Sequence, residues 1–395
     1  MPNKKTFEDP DQNRTRSHST KKHPGNSELV KTDPREHIPA LDGLRGLAIG
    51  LVLIWHFVVF SHRWLPSWIG VDLFFVLSGY LITGRLIGTK EMPGYFSRFY
   101  RNRALRILPL YFLVIMIFFG AARFLLDKKN LPTIAIYIDH WRSFFLFTQN
   151  WTFSLYGRPQ DLSLLPLWSV AVEEQLYLVW PLLIFLFPID PKTGIRIFAT
   201  AIFLVVLTRC CYYIHDPSFA PDRYYNTFFR ADSMMTGGLL YLLHIRTANT
   251  SARMVSSIRK ALLCVLLPLS VGCILVIGNT YPANFFFATV GYTITALLFA
   301  CLLDDVIRFD QGHLNRFFRC RWLRFLGKIS YGLYLIHYPI LTFLRPRIRH
   351  WEAVHWPGHP SLELALSECI CLLLAVVLSA FSYRYFESRF LRLKR

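Results

Sequence analysis

The sequence predicts an all-α fold, a polytopic membrane helical bundle of ten transmembrane helices with both termini cytoplasmic. Three observations predict it. The 395 residues are 53% hydrophobic and only 17% charged, against about 25% charged in an ordinary soluble domain. The apolar residues fall in long runs divided by short charged stretches, as successive membrane spans do. The basic residues are shared unequally between alternate connections, which fixes an orientation.

The apolar runs give spans at 43–60, 68–86, 104–124, 165–187, 195–214, 226–244, 261–278, 284–303, 326–344 and 362–383. Each is long enough, at about 1.5 Å per residue, to cross most of a ~30 Å hydrocarbon core. Numbering inward from a cytoplasmic N-terminus, the inner segments and helix ends hold 32 of the 44 Lys and Arg residues. The positive-inside rule then selects both termini cytoplasmic and an even number of spans, and the expected location is the cytoplasmic (inner) membrane. Three regions follow: a polar, basic and disordered cytoplasmic tail at 1–37, a transmembrane domain at 38–388 and a basic cytoplasmic tail at 389–395. Residues 1–37 lack the apolar core of a secretory signal. The net charge of +19 is spread over helix mouths rather than gathered on one soluble face, so no nucleic-acid partner is expected. The eight cysteines show no CxxC spacing, so neither a disulfide framework nor a metal site is expected. No internal repeat supports an inverted-repeat transporter.

Ionisable residues inside a span are costly and mark function. In "LDGLRGLAIGLVLIWHF", Arg45 and His56 stand eleven residues apart. On a helix they lie within roughly 20° of one face and about 16 Å apart along the axis. The plain alternative is a snorkelling arginine and an interfacial histidine. In "LPLWSVAVEEQLYLVWPLL", Ser169, Glu173 and Tyr177 form an i, i+4, i+8 stripe. Counting from the helix entry puts Glu173 and Glu174 about 12–15 Å deep, at the level of His56. Glu173 is therefore expected at the site, orienting the imidazole, with Glu174 beside it. In "LGKISYGLYLIHYPIL", Ser330, Tyr334 and His337 share a face. Asp72, Arg230 and Asp232 begin outer helix turns, where binding or helix capping would suit them. Gly79, Gly237 and Gly238 read as close-packing positions. On the inner side, Arg103 and Arg106 are i, i+3 neighbours, with Arg45 and Arg85 at the same level. Grouped guanidinium forks suit a phosphate-bearing ligand. Trp141, Trp151, Trp351 and Trp356 are expected at the membrane interface rather than stacked on sugars.

The stretches "LDGLRGLAIGLVLIWHF", "GVDLFFVLSGYLIT", "RALR" within "FYRNRALRILP", "LWSVAVEEQLYLVWP", "FFRADSMMTGGLLYLL" and "ISYGLYLIHYPI" occur in this order across residues 38–388. Together they resemble the acyltransferase-3 family of integral membrane acyltransferases, which O-acylate surface carbohydrates. The resemblance implies that Arg45 and His56 are functional and that Arg103 and Arg106 belong to an acyl-coenzyme A site. Some members carry an esterase-like domain after the last helix; none is expected within this sequence, which ends at Arg395.

The combined reading is an O-acyltransferase using acetyl-coenzyme A or another acyl-coenzyme A as donor. The acceptor is an extracytoplasmic carbohydrate or lipid-linked glycan. His56, Glu173, Glu174 and Arg45 carry the chemistry. Arg103, Arg106, Arg45 and Arg85 hold the donor. Asp72, Asp232, Arg230, His337 and Tyr334 meet the acceptor. The pantetheine arm is expected to follow one stripe from Arg45 to His56. The competing reading is a transporter or flippase using the same intramembrane groups.

Overall fold

The computed structural model describes residues 38–58, 65–125, 131–186, 190–216, 223–248, 250–355 and 360–394. The expected tail at 1–37, Trp356 and Arg395 lie outside them. Every regular element among the described residues is helical. α1 (Pro39–Phe57) starts on a proline, whose missing N–H would have no helical partner at that position anyway. α2 (Gly70–Thr89) and α3 (Tyr95–Leu125) follow. Three short helices, α4 (Ala135–Asp139), α5 (Trp141–Phe145) and α6 (Gln149–Tyr156), form the next connection. α7 (Leu167–Leu186) leads to α8 (Pro191–His215), whose N-cap Asp190 accepts from the Thr193 N–H at 3.2 Å. α9 (Thr227–Arg246) is capped by Asn226 and α10 (Ala252–Ile277) by Ser251. α11 (Tyr292–Arg308), α12 (His313–Phe318), α13 (Arg321–His355), α14 (Pro360–Ser382) and α15 (Ser388–Leu391) complete the chain.

Eight helical segments, built on α1, α2, α3, α7, α8, α10, α11 and α14, are long and apolar enough to cross a membrane. The other two expected spans, 226–244 and 326–344, are also helical but fall short of that apolarity. Their surroundings explain it. α9 packs on α2, α8 and α11, and α13 packs on α1 and α14. Protein rather than lipid covers their polar faces. α10 is the opposite case: its apolar window has mean hydropathy 2.5 and none of it is buried, as suits a helix solvated by lipid.

Glycines set the closest contact. A methyl group added at Gly79 of α2 would overlap the Met234 carbonyl oxygen of α9, and one at Gly237 would overlap that of Val76. The close-packing reading of those glycines holds. Buried ion pairs join the same helices. Arg230 donates to Asp72 at 2.7 Å, with both side chains fully buried. Arg209 of α8 pairs with Asp232 at 2.9 Å. Further along, Asp304 of α11 gathers His244, Arg259 and Arg308 at 2.6–2.8 Å. Such pairs fix which helices are neighbours, because a single partner left buried is costly.

Candidate active site

Two cavities lie end to end within the bundle. The first, about 130 Å³, is lined by Arg45, Arg103, Arg106, Ser169, Glu173 and Tyr177 among others. α1 supplies Arg45, whose guanidinium is 3.2 Å from Asp42. α3 supplies Arg103 and Arg106 from one face, one turn apart. The Arg103 guanidinium lies 5.0 Å from the Tyr177 ring and 5.7 Å from that of Phe99. Such stacking holds it while leaving its N–H fork for a ligand. The α7 stripe read from sequence faces this cavity. Tyr177 donates to Glu173 Oε2 at 2.9 Å, and its hydroxyl also bonds the Ser78 hydroxyl at 2.6 Å. Phe74, Leu77 and Leu81 of α2 make the remaining walls apolar.

The segment after α15 returns to α3, which the sequence gave no reason to expect. Arg101 donates to the Leu393 carbonyl at 3.2 Å. Burial and the neighbouring Arg106, Arg103, Arg85 and Arg45 push the Lys394 ammonium down to about 7. All four arginines expected at the donor site thus act electrostatically on Lys394. Arg85 is exposed and is not part of the cavity wall. That excess of positive charge is what a polyphosphate would offset.

The second cavity, about 570 Å³, is lined by His56, Trp55, Trp68, Trp168, Tyr224 and Tyr281 among others. His56 does not meet Glu173. His56 Nδ1 is 3.0 Å from His337 Nε2, and His337 Nδ1 is 2.9 Å from the Leu333 carbonyl oxygen. That carbonyl can only accept, so His337 Nδ1 carries a proton. In the neutral ring His337 Nε2 then accepts from His56 Nδ1–H. The remaining nitrogen of His56, Nε2, holds the lone pair. Tyr338 packs edge-on against the His56 ring, with centroids 4.5 Å apart. His337 is fully buried and lies outside the cavity lining, so it supports His56 from behind.

The expectation of one continuous stripe from Arg45 to His56 needs correction. The two side chains open into different cavities, and only Val71 and Tyr334 belong to both walls. The Tyr334 hydroxyl donates to the Pro166 carbonyl at 2.9 Å and bonds the Ser169 hydroxyl at 2.7 Å. It also packs on Phe74. The polar face of α13 spans the partition: Ser330 on the arginine side, Tyr334 in the wall, His337 behind the histidine.

Asp72, Arg230 and Asp232 lie on neither cavity wall. They act on the histidine cavity from behind. The Arg230 guanidinium is 4.9 Å from the Tyr224 ring and 5.8 Å from that of Trp168, and both rings line the cavity. Glu174 lies beyond both linings, with its buried Oε1 unpartnered in the structure. Trp141 and Trp351 are exposed, and Trp151 donates to Gln175. The aromatic residues facing the cavity are therefore others than those singled out in the sequence.

The geometry describes a membrane protein with a cationic pocket and a histidine-bearing cavity back to back, and comparison with known proteins supplies the class. Residues 38–384 match the family model described as "Acyltransferase domain". The chain belongs to this acyltransferase-3 family and is an integral multi-pass membrane protein. It is 31% identical over 335 residues to the peptidoglycan O-acetyltransferase OatA of Listeria monocytogenes, covering 82% of this chain and 52% of the relative. It is 30% identical over 383 residues to the putative peptidoglycan O-acetyltransferase YrhL of Bacillus subtilis, covering 90% and 55%. A putative O-acetyltransferase of Staphylococcus aureus is 25% identical over 376 residues, 92% of this chain and 58% of the relative. The chain spans about half the length of these curated relatives. No solved structure matches it.

Proposed function

We propose that the protein is an inner-membrane O-acyltransferase that moves an acetyl or other acyl group from cytoplasmic acyl-coenzyme A to a hydroxyl of an extracytoplasmic carbohydrate or lipid-linked glycan. The supporting observation is the meeting of an arginine pocket and a histidine cavity at one tyrosine, Tyr334. The names of the relatives support O-acetylation of a cell-wall glycan. The positive-inside pattern supports ten spans, with the arginine pocket facing the cytoplasm.

In this reading Arg103, Arg106 and Arg45, with Arg85 and Lys394 at the rim, hold the phosphates of the donor. The apolar walls near Phe74 and Leu77 accept its arm. His56 Nε2 takes the proton of the acceptor hydroxyl as that oxygen bonds to the acyl carbon and the carbon–sulfur bond breaks. The proton then passes to the thiolate. His337 holds the imidazole in the required tautomer and shares the positive charge that develops on it. A covalent route would place the acyl group on His56 Nε2 first. Glu173 is assigned to holding Tyr177 and balancing the arginines rather than to orienting His56. Tyr334 must yield for the thioester to reach His56.

The test uses membranes containing the protein, radiolabelled acetyl-coenzyme A and a glycan acceptor. Label on the acceptor supports the enzyme. Movement of unmodified glycan across the bilayer without labelling would support the transporter instead. Label trapped on His56 without acceptor would select the covalent route.

A further inference from the structure

The histidine cavity holds a charge pattern that acyl transfer by itself does not require. Among the described residues its lining includes two arginines, Arg158 and Arg345, and no Asp or Glu. Arg345 of α13 is pinned by Glu368 of α14 at 2.9 Å. Arg158, in the connection between α6 and α7, is exposed and forms no ion pair among the described residues. Asp161, three residues on, has its Oδ1 engaged by the Ser163 N–H at 2.8 Å. Both guanidiniums act electrostatically on Tyr338, as do the carboxylates of Asp161 and Glu368, and the Tyr338 ring packs against His56.

The rest of the wall is aromatic. Trp68 packs edge-on against Tyr224 with centroids 5.8 Å apart, and Trp168 lies 4.8 Å from Tyr224. Trp55 and Tyr281 form an edge-to-face pair at 6.4 Å. These rings make the wall largely apolar, as suits the C–H face of a pyranose. The volume of about 570 Å³ is that of a pocket for a small-molecule-sized group. A neutral sugar would use the rings and leave Arg158 with nothing to bind.

We propose that the histidine cavity takes a sugar bearing an anionic group, a carboxylate or a phosphate, within reach of Arg158 and Arg345 when the reacting hydroxyl lies at His56. This deepens the acyltransferase reading and rests on it for the role of His56. Arg158 supplies the direct contact, and Arg345, already paired with Glu368, supplies the positive field behind it.

The test measures binding, so that it stands even where turnover fails. The full-length protein in detergent micelles is titrated with three matched oligosaccharides. One carries a carboxylate, one has that carboxylate reduced to an alcohol, and one carries a phosphate. Tryptophan fluorescence from Trp55, Trp68 and Trp168 reports occupancy. The carboxylated or the phosphorylated sugar should bind roughly tenfold or more tightly than the reduced one, as one charge-assisted contact allows. Arg158→Gln should erase that preference, and Arg158→Lys should restore part of it. Whichever anion gains more identifies the group. Added salt should weaken the anionic sugars selectively. Equal binding of all three sugars by the unaltered protein, or an undiminished preference in Arg158→Gln, would overturn the proposal. If the preference appears but labelled acetyl never reaches any sugar, the acyl-transfer reading fails while the anionic-sugar site stands.

Discussion

The arginine pocket and the histidine cavity are built in opposite ways. The pocket is small and cationic, and its charge comes from arginines of α1 and α3. The cavity is some four times larger, and rings line it around one imidazole. In the pocket, stacking on Tyr177 and Phe99 holds Arg103, while Asp42 and Glu173 offset only part of the arginine charge. Behind the cavity lining, buried charge is neutralised in pairs, where Arg230 meets Asp72 and Arg209 meets Asp232. A site whose cations outnumber its acids is ready for an anionic ligand. A wall whose ions are paired internally is ready to hold its shape. The first arrangement suits a charged donor; the second suits a shaped acceptor next to a base.

His56→Ala should have the largest effect. It removes the proton acceptor and should lower transfer by about 10²–10⁴-fold, with the protein still inserted in the membrane. Retained turnover would place the chemistry elsewhere. Next comes the wall. Asp72→Asn leaves the fully buried Arg230 without its counter-charge, at a cost of about 3–5 kcal/mol. Thermal unfolding in detergent should show a clear fall in midpoint, larger than that of any single substitution in the arginine pocket. His337→Phe should reduce transfer by about 10–100-fold, comparable to losing a supporting partner. It should also shift the pH–rate profile, and His337→Gln should restore part of the rate because its side-chain oxygen can accept from His56. A loss with no change in pH profile would make His337 a packing residue only.

Replacing both Arg103 and Arg106 with Gln should raise the donor KM by about tenfold or more while changing kcat at saturation far less, as for lost uniform binding. Unchanged donor affinity would move the phosphates elsewhere. The smallest effect is expected at Lys394, whose ammonium titrates near 7. A polyanionic donor favours its charged form. Donor affinity should therefore fall by a few-fold as pH rises through 7, and Lys394→Met should flatten that slope.

Much of this was legible in the sequence, and the misses share a cause. The all-helical fold, eight helices apolar enough to cross a membrane, the arginine group, the α7 stripe and the shared face of Ser330, Tyr334 and His337 all follow from residue type and helical spacing. The partner of His56 does not. Glu173 was placed beside it by counting depth from the start of a span. Yet Leu165 and Pro166, at that start, already line the histidine cavity. The partition falls early in α7, so Glu173, about two turns later, lies beyond it in the arginine pocket. Counting residues from the start of an apolar run does not tell on which side of such a partition a residue falls. Lys394 was hidden for another reason. A basic residue after the last span reads as ordinary positive-inside charge, and only the Arg101 contact to Leu393 brings it inward. The aromatic lining was missed because its rings come from helix ends and connections scattered from Trp55 to Tyr338, which no single stretch of sequence displays together.

A sealed-vesicle experiment decides whether the two cavities are halves of one path. Labelled acetyl-coenzyme A is supplied only on the face bearing the arginine pocket, and a glycan acceptor only on the other. Two cavities meeting at Tyr334 predict that label appears on the acceptor across the bilayer and that His56→Ala abolishes it. Transfer that occurs only when donor and acceptor share a face would contradict the division of labour between them.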